Sequence, residues 1–139
     1  MIILDSNVLS EIMRGPDADP RVISWLRATT HPMVTTVFNR AEILAGLALL
    51  PEGARRNALT RAAVTALSRI EACLPFTEEC TVAYAELVAQ RRRSGLPIST
   101  MASLVAAVAR TFGAAVATRN VKDFTGLGLG IVDPWAATR

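Results

Sequence analysis

Four oxygen-bearing side chains, Asp5, Glu42, Asn120 and Asp123, stand where an alternating α/β sequence can bring them together. Asp5 follows the apolar run Ile2-Ile3-Leu4. It precedes Ser6 and Asn7, both strong helix N-cap types, with Val8-Leu9 and Ile12-Met13 then at helical spacing. That pattern predicts strand, turn and helix, with Asp5 at the carboxyl end of the strand. Glu42 falls one turn into the helix expected after a second strand, and Asn120 and Asp123 follow a strand at 114–117. In a parallel sheet these positions share one edge, the edge where ligands and metals bind. Oxygen ligands without His or Cys favour a hard cation such as Mg²⁺ or Mn²⁺. Such an ion lowers the pKa of a bound water and neutralises charge on a phosphodiester during in-line displacement. Taken singly, each residue has a plainer reading: Asp5 equally as a helix cap, Glu42 as a solvated acid, Asn120 and Asp123 as turn residues.

Composition narrows the alternatives. The chain has 139 residues, 51% of them apolar, enough for one domain spanning 1–139 with a real core. His31 is the sole histidine, which removes His-based triads and HExxH zinc sites. Cys73 and Cys80 match no metal pattern and are expected as buried free thiols in a reducing cytoplasm. A net charge of +3 permits a nucleic-acid partner without demanding one, and the seven aromatics show no stacking-platform spacing. The longest uncharged stretch, 94–109, contains Gly95 and Pro97 and is too short to span a bilayer. Asp5 interrupts the N-terminus before any signal segment can form. The expectation is a soluble, cytoplasmic protein that is neither secreted nor membrane-bound.

The elements that must position these side chains read as follows. A loop at 15–20 leads to a short helix over 22–28 and a second strand over 33–37. Asn39 can cap the next helix, which Pro51-Glu52-Gly53 breaks. A long helix covers 54–70, and Leu74-Pro75-Phe76 reads as an edge strand, since proline cannot donate to a central ladder. Thr77-Glu78-Glu79 opens a helix that Arg91-Arg92-Arg93 closes before Gly95, complementing the helix dipole at both ends. The arginine triplet reads as a solvated charge cluster rather than an RNA track. Ser99 or Thr100 caps an apolar helix closed by Gly113, and Ile131-Val132 is the last strand. The segment 126–130 is glycine-rich but precedes a strand with no helix following, so it is a flexible turn and not a phosphate cradle. Strands separated by helices imply an α/β fold with a mostly parallel sheet of four to five strands covered on both faces.

Four motifs in order carry a family resemblance over essentially the whole length. They are Ile3-Leu4-Asp5-Ser6-Asn7-Val8, Ala41-Glu42-Ile43 with Gly46 downstream, Gly95-Leu96-Pro97-Ile98, and 117–124 reading Ala-Thr-Arg-Asn-Val-Lys-Asp-Phe. On them the chain resembles PIN-domain ribonucleases, specifically VapC toxins of bacterial toxin–antitoxin pairs and their FitB-like relatives. The resemblance implies a PIN-like α/β sandwich, usually dimeric, that binds Mg²⁺ or Mn²⁺ and cleaves RNA such as tRNA or rRNA. It also implies a VapB-like antitoxin, larger hetero-oligomers with it, and operator DNA bound only through the antitoxin. By position the acidic site falls on Asp5, Glu42 and Asn120, with Asp123 nearby. Asp5 is then the principal metal ligand and Glu42 a ligand or the base orienting the attacking water. Ser6 and Arg119 hold acid orientation or a phosphate.

One position departs from the pattern. In such proteins the helix after Pro-Ile begins with an aspartate that completes the metal site. Here the segment reads Met101-Ala102-Ser103-Leu104, so Ala102 occupies the aspartate position. Ser99 or Ser103 offers only a neutral hydroxyl. Loss of one carboxylate weakens metal binding and transition-state charge stabilisation, so cleavage is expected to fall by orders of magnitude. A deliberate inactivating replacement and an inherited one both fit. The alternative function is a non-catalytic interaction module that keeps the fold and binds antitoxin or RNA without cutting. A flavodoxin-like phosphoacceptor needs an acidic pair beside the first strand and a lysine after the last, and the sequence has neither clearly.

Overall fold

Five short parallel strands form one sheet in the order β3-β2-β1-β4-β5. The computed structural model describes residues 1–136, so the last three residues of the expected 1–139 domain lie outside the described residues. The strands are β1 (Ile2–Leu4), β2 (Met33–Thr36), β3 (Cys73–Leu74), β4 (Ala115–Ala117) and β5 (Ile131–Val132). The helices are α1 (Ser6–Met13), α2 (Pro20–Ala28), α3 (Val37–Ala48), α4 (Ala54–Ser68), α5 (Glu78–Arg93) and α6 (Thr100–Phe112), with 3₁₀ turns at Gly15–Asp17 and Val121–Asp123. The strand order reverses between β1 and β4. In open α/β sheets the crevice beyond the carboxyl ends at such a reversal is where ligands bind. A flavodoxin-like sheet has the order 2-1-3-4-5, so this topology separates the two folds.

Side-chain alternation along the strands builds two cores, one on each face. Ile3, Val34 and Val116 point into a cluster with Leu87 of α5, with Val105, Ala106 and Val108 of α6, and with Phe124 and Leu127. Leu4 and Ala117, one residue further on, join the opposite cluster of Val8, Leu9, Val22, Ile43, Leu47, Ala63 and Trp135. Helix α6 is apolar nearly all round because it is sandwiched between α5 and the sheet, with Ala102, Ser103 and 105–109 buried. Gly113 stops it in the left-handed region at φ 67°, which favours glycine. Among the described residues no helix is long and apolar enough to cross a membrane.

Several expectations are corrected. The cap of α3 is Thr36, whose Oγ1 accepts from the backbone N–H groups of Phe38 and Asn39; Asn39 lies inside the helix and is fully buried. The cap of α1 is Asp5 rather than Ser6 or Asn7. The third strand is Cys73–Leu74, ending before Pro75, and α4 ends at Ser68 rather than Ile70. Cys80 is buried but Cys73 is exposed, and both are free. The 126–130 turn is pinned through two carbonyls, with Gln90 Nε2 donating to Gly126 O (2.7 Å) and Arg110 Nη2 to Leu127 O (2.7 Å). Of the arginine triplet, Arg92 and Arg93 are exposed as expected, but Arg91 is buried.

Candidate active site

Register places the end of β1 beside the end of β4, with Leu4 opposite Ala117, and Asp5 N–H donates to Ala117 O at 3.0 Å. The next residues therefore meet: Thr118 Oγ1 donates to Asp5 Oδ2 at 2.7 Å. Asp5 Oδ1 accepts from Ser6 N–H (2.9 Å), the helix-capping contact, and from Asn39 Nδ2 (2.8 Å). The two readings of Asp5 thus coexist. It caps α1 with one oxygen and keeps spare lone-pair capacity on the other, since a carboxylate accepts at about four sites.

Asn39 is the hub of this wall. Its Nδ2 also donates to Ser6 Oγ (3.1 Å), and Ser6 Oγ donates in turn to Glu42 Oε1 at 2.6 Å. Thr36 Oγ1 already accepts two backbone N–H groups, so its proton goes to Asn39 Oδ1 (2.7 Å), and that contact fixes which end of the amide faces Asp5. Thr118 has a parallel role: buried, it accepts from Asn7 Nδ2 (3.3 Å) and Asn120 N–H (3.0 Å) while donating to Asp5. From sequence neither residue has a role at the site: Asn39 reads there as a helix cap and Thr118 only as part of the 117–124 motif. Asn39 lies three residues before Glu42, on the same helix face, and that spacing was the available signal. Thr118 gave only its position at a strand end.

The opposite wall is built differently. Asn120, Asp123 and Phe124 come from the segment around the 3₁₀ turn Val121–Asp123, and Ser99, Met101, Ala102 and Val105 from the start of α6. Together with Asp5, Ser6, Asn7 and Glu42 they line one cavity of about 260 Å³. Residues proposed from four separate segments therefore share one space. Ala102 presents only a methyl group there and is 8% exposed. Ser99 Oγ accepts from Ala102 N–H (3.1 Å), so Ala102 is the third residue of α6 after the cap. Arg119 is not in this lining. Its guanidinium stacks 4.9 Å over the Trp135 ring.

Among the described residues no three His, Cys, Asp or Glu side chains gather as a metal-holding group. A hydrated Mg²⁺ or Mn²⁺ shared with a substrate phosphate needs only one or two protein carboxylates. Asp5, with its partly free Oδ2, and Glu42, whose Oε2 accepts nothing from the described residues, have the right hard-oxygen chemistry for that open arrangement. They do not make a closed cage.

A known family model matches most of this chain. Residues 2–125 fit the PIN domain, and the chain belongs to the PIN-domain family. It is 37% identical to the plasmid stability protein StbB of Pseudomonas syringae pv. tomato, covering 99% of this chain and 100% of that protein. It is 36% identical to VapC ribonuclease Y4jK of Sinorhizobium fredii, covering 97% and 98%. It is 30% identical to toxin FitB of Neisseria gonorrhoeae, covering 97% and 99%. The crystal structure of FitAcB from Neisseria gonorrhoeae superposes with a TM-score of 0.86 at 30% identity over 99% of this chain and all of that one.

Proposed function

We propose that this chain is a metal-dependent endoribonuclease toxin of VapC type, acting in the cytoplasm as one PIN domain and a homodimer, and neutralised by a VapB-like antitoxin that also carries the pair to operator DNA. The observation behind this reading is the shared cavity. Asp5, Glu42, Asn120 and Asp123 line it at the β1–β4 reversal, and no His or Cys lies among its lining residues. Its relatives include a protein named as a VapC ribonuclease and one named as a toxin.

Asp5 and Glu42 would hold Mg²⁺ or Mn²⁺, which when bound neutralises phosphodiester charge and lowers the pKa of a water. Asp5 is pre-oriented by three hydrogen bonds, so binding costs little rotamer freedom at that residue. Glu42 is held at Oε1 by Ser6, leaving Oε2 to bind the ion or orient the attacking water. Asn120 and Asp123 contact the outer part of the phosphate's surroundings from the far wall. Ala102 leaves the α6 side without charge, and cleavage by this chain is impaired for that reason.

A second reading, a non-catalytic module that binds antitoxin or RNA, is favoured by one observation: although Asp123 lines the same cavity as Asp5 and Glu42, among the described residues no three such side chains gather closely enough to hold a metal ion. Ala102→Asp separates the two. An aspartate at the third position of α6 also suits the positive end of the helix dipole, so the variant is expected to fold. The measurement is cleavage of a tRNA and rRNA panel with Mg²⁺ or Mn²⁺. The ribonuclease reading expects a gain of about 10²–10³-fold. A variant whose melting midpoint rises with Mn²⁺ but which stays inert supports the module instead.

A further inference from the structure

Arg91 is a buried cation with no carboxylate partner among the described residues. It sits in the last turn of α5 and is only 6% exposed, and the ion pairs among the described residues are Arg14–Glu11 and Arg21–Asp19. Arginine cannot shed its charge by deprotonation in a protein, so burial must be compensated by hydrogen bonds. The compensation here is entirely backbone. Nη2 faces three carbonyls, Asp123 O (2.8 Å), Thr125 O (3.0 Å) and Lys122 O (3.1 Å), and Nη1 donates to Leu96 O (3.3 Å). Nε is buried without an acceptor.

Those four carbonyls belong to two segments that both flank the cleft. Lys122 and Asp123 end the 3₁₀ turn, where helix carbonyls lack internal partners and carry the negative end of the dipole. Leu96 lies in the connection that leads into Ser99 and the first turn of α6. The side chains of Asn120 and Asp123 make no hydrogen bond to another described residue, so their placement depends on their backbone. The planar guanidinium fork can hold both segments at once, whereas a lysine ammonium is a single point of charge.

We propose that Arg91 is a positioning residue for the cleft. By gathering the carbonyls of Leu96, Lys122, Asp123 and Thr125, it sets the spacing between the two segments of the far wall, Asn120–Asp123 and the start of α6. The consequence for cleavage rests on the ribonuclease reading above; the consequence for the wall itself does not.

The test compares Arg91→Lys and Arg91→Met in the full chain, alone and together with Ala102→Asp. Amide hydrogen exchange is expected to speed up by about tenfold or more at 120–126 and 96–99, while β1, β4 and α1 keep their protection. In the Ala102→Asp background, kcat for RNA is expected to fall by up to about 10²-fold with KM little changed, since the reacting groups are misplaced rather than lost. Arg91→Lys is expected to fail almost as badly as Arg91→Met. Unchanged exchange at 120–126 in both variants overturns the proposal. So does global loss of the cooperative unfolding transition in both, which marks a general core role. If Ala102→Asp itself is inert, the ribonuclease reading falls while hydrogen exchange still decides for or against Arg91.

Discussion

On the β1 side of the cleft, Asp5, Ser6, Asn39, Glu42 and Thr118 hold one another through side-chain hydrogen bonds of 2.6–3.1 Å. On the α6 side, the Ala102 methyl has nothing to donate or accept, and Asn120 and Asp123 are placed through backbone contacts, among them Asn120 N–H to Thr118 Oγ1 and Arg91 to Asp123 O. The first wall is specified residue by residue: removing Asp5 takes an acceptor from the fully buried Asn39 and Thr118. The second is specified by the path of the chain at Ala102, Asn120 and Asp123, so those three side chains, unlike the buried Val105 and Phe124 beside them, can change with little penalty to the fold. That asymmetry explains how an alanine can stand at position 102 in an intact structure. It also locates the expected deficit in chemistry rather than in folding.

The largest expected effect is Ala102→Asp, a gain of about 10²–10³-fold in Mg²⁺- or Mn²⁺-dependent RNA cleavage with stability nearly unchanged. A large loss of melting temperature there instead would break the contrast between the walls. Next comes Asp5→Asn in the Ala102→Asp background, expected to return cleavage to the unmodified chain's level and remove the Mn²⁺-dependent rise in midpoint. It is also expected to cost about 1–3 kcal/mol, because Thr118 Oγ1 already accepts twice and its proton then faces an amide N–H₂. Asn39→Ala is expected to cost a similar amount, about 1–3 kcal/mol by denaturant unfolding, since the amide is fully buried and its partners Thr36 and Asp5 lose their contacts. Asp123→Ala, on the other wall, is expected within about 0.5 kcal/mol of the parent. Equal losses for the two variants would remove the distinction.

The smallest effect lies outside the cleft and calibrates it. Asp19 caps α2 and is held by hydrogen bonds from Arg21, which lower its carboxyl to about 2 from 3.8. Because the folded value is the lower one, its contribution is present above the unfolded value and fades as pH falls from 3.8 towards about 2. Asp19→Ala is expected to flatten the melting midpoint over that window. The change should be smaller than that of Asn39→Ala, because Asp19 is only half-buried and its partner Arg21 is exposed, so the pair is screened.

Much of this arrangement was legible in the chain. The apolar run before Asp5, the Thr77 and Ser99 caps, and the strands at 115–117 and 131–132 all carry local signals that needed no tertiary context. The same locality explains the errors. Thr36 and Asn39 are both cap types three residues apart, and only the end of β2 at Thr36 decides which of them caps. Arg91, Arg92 and Arg93 look alike in sequence. Helical phase turns Arg91 alone inward, towards carbonyls more than thirty residues later in the chain.

By itself, then, the sequence determined which residues could do chemistry and which edge of a parallel sheet they would occupy, because strand and helix periods and caps are local properties. It also placed an alanine at position 102, which the resemblance reads as the place of a carboxylate. Only the tertiary structure decided that Asp5 is cradled by Asn39 and Thr118, that Arg119 stacks on Trp135, and that Arg91 spans both segments of the far wall. Those outcomes depend on strand register and helix rotation, which are set by packing between segments distant in the chain.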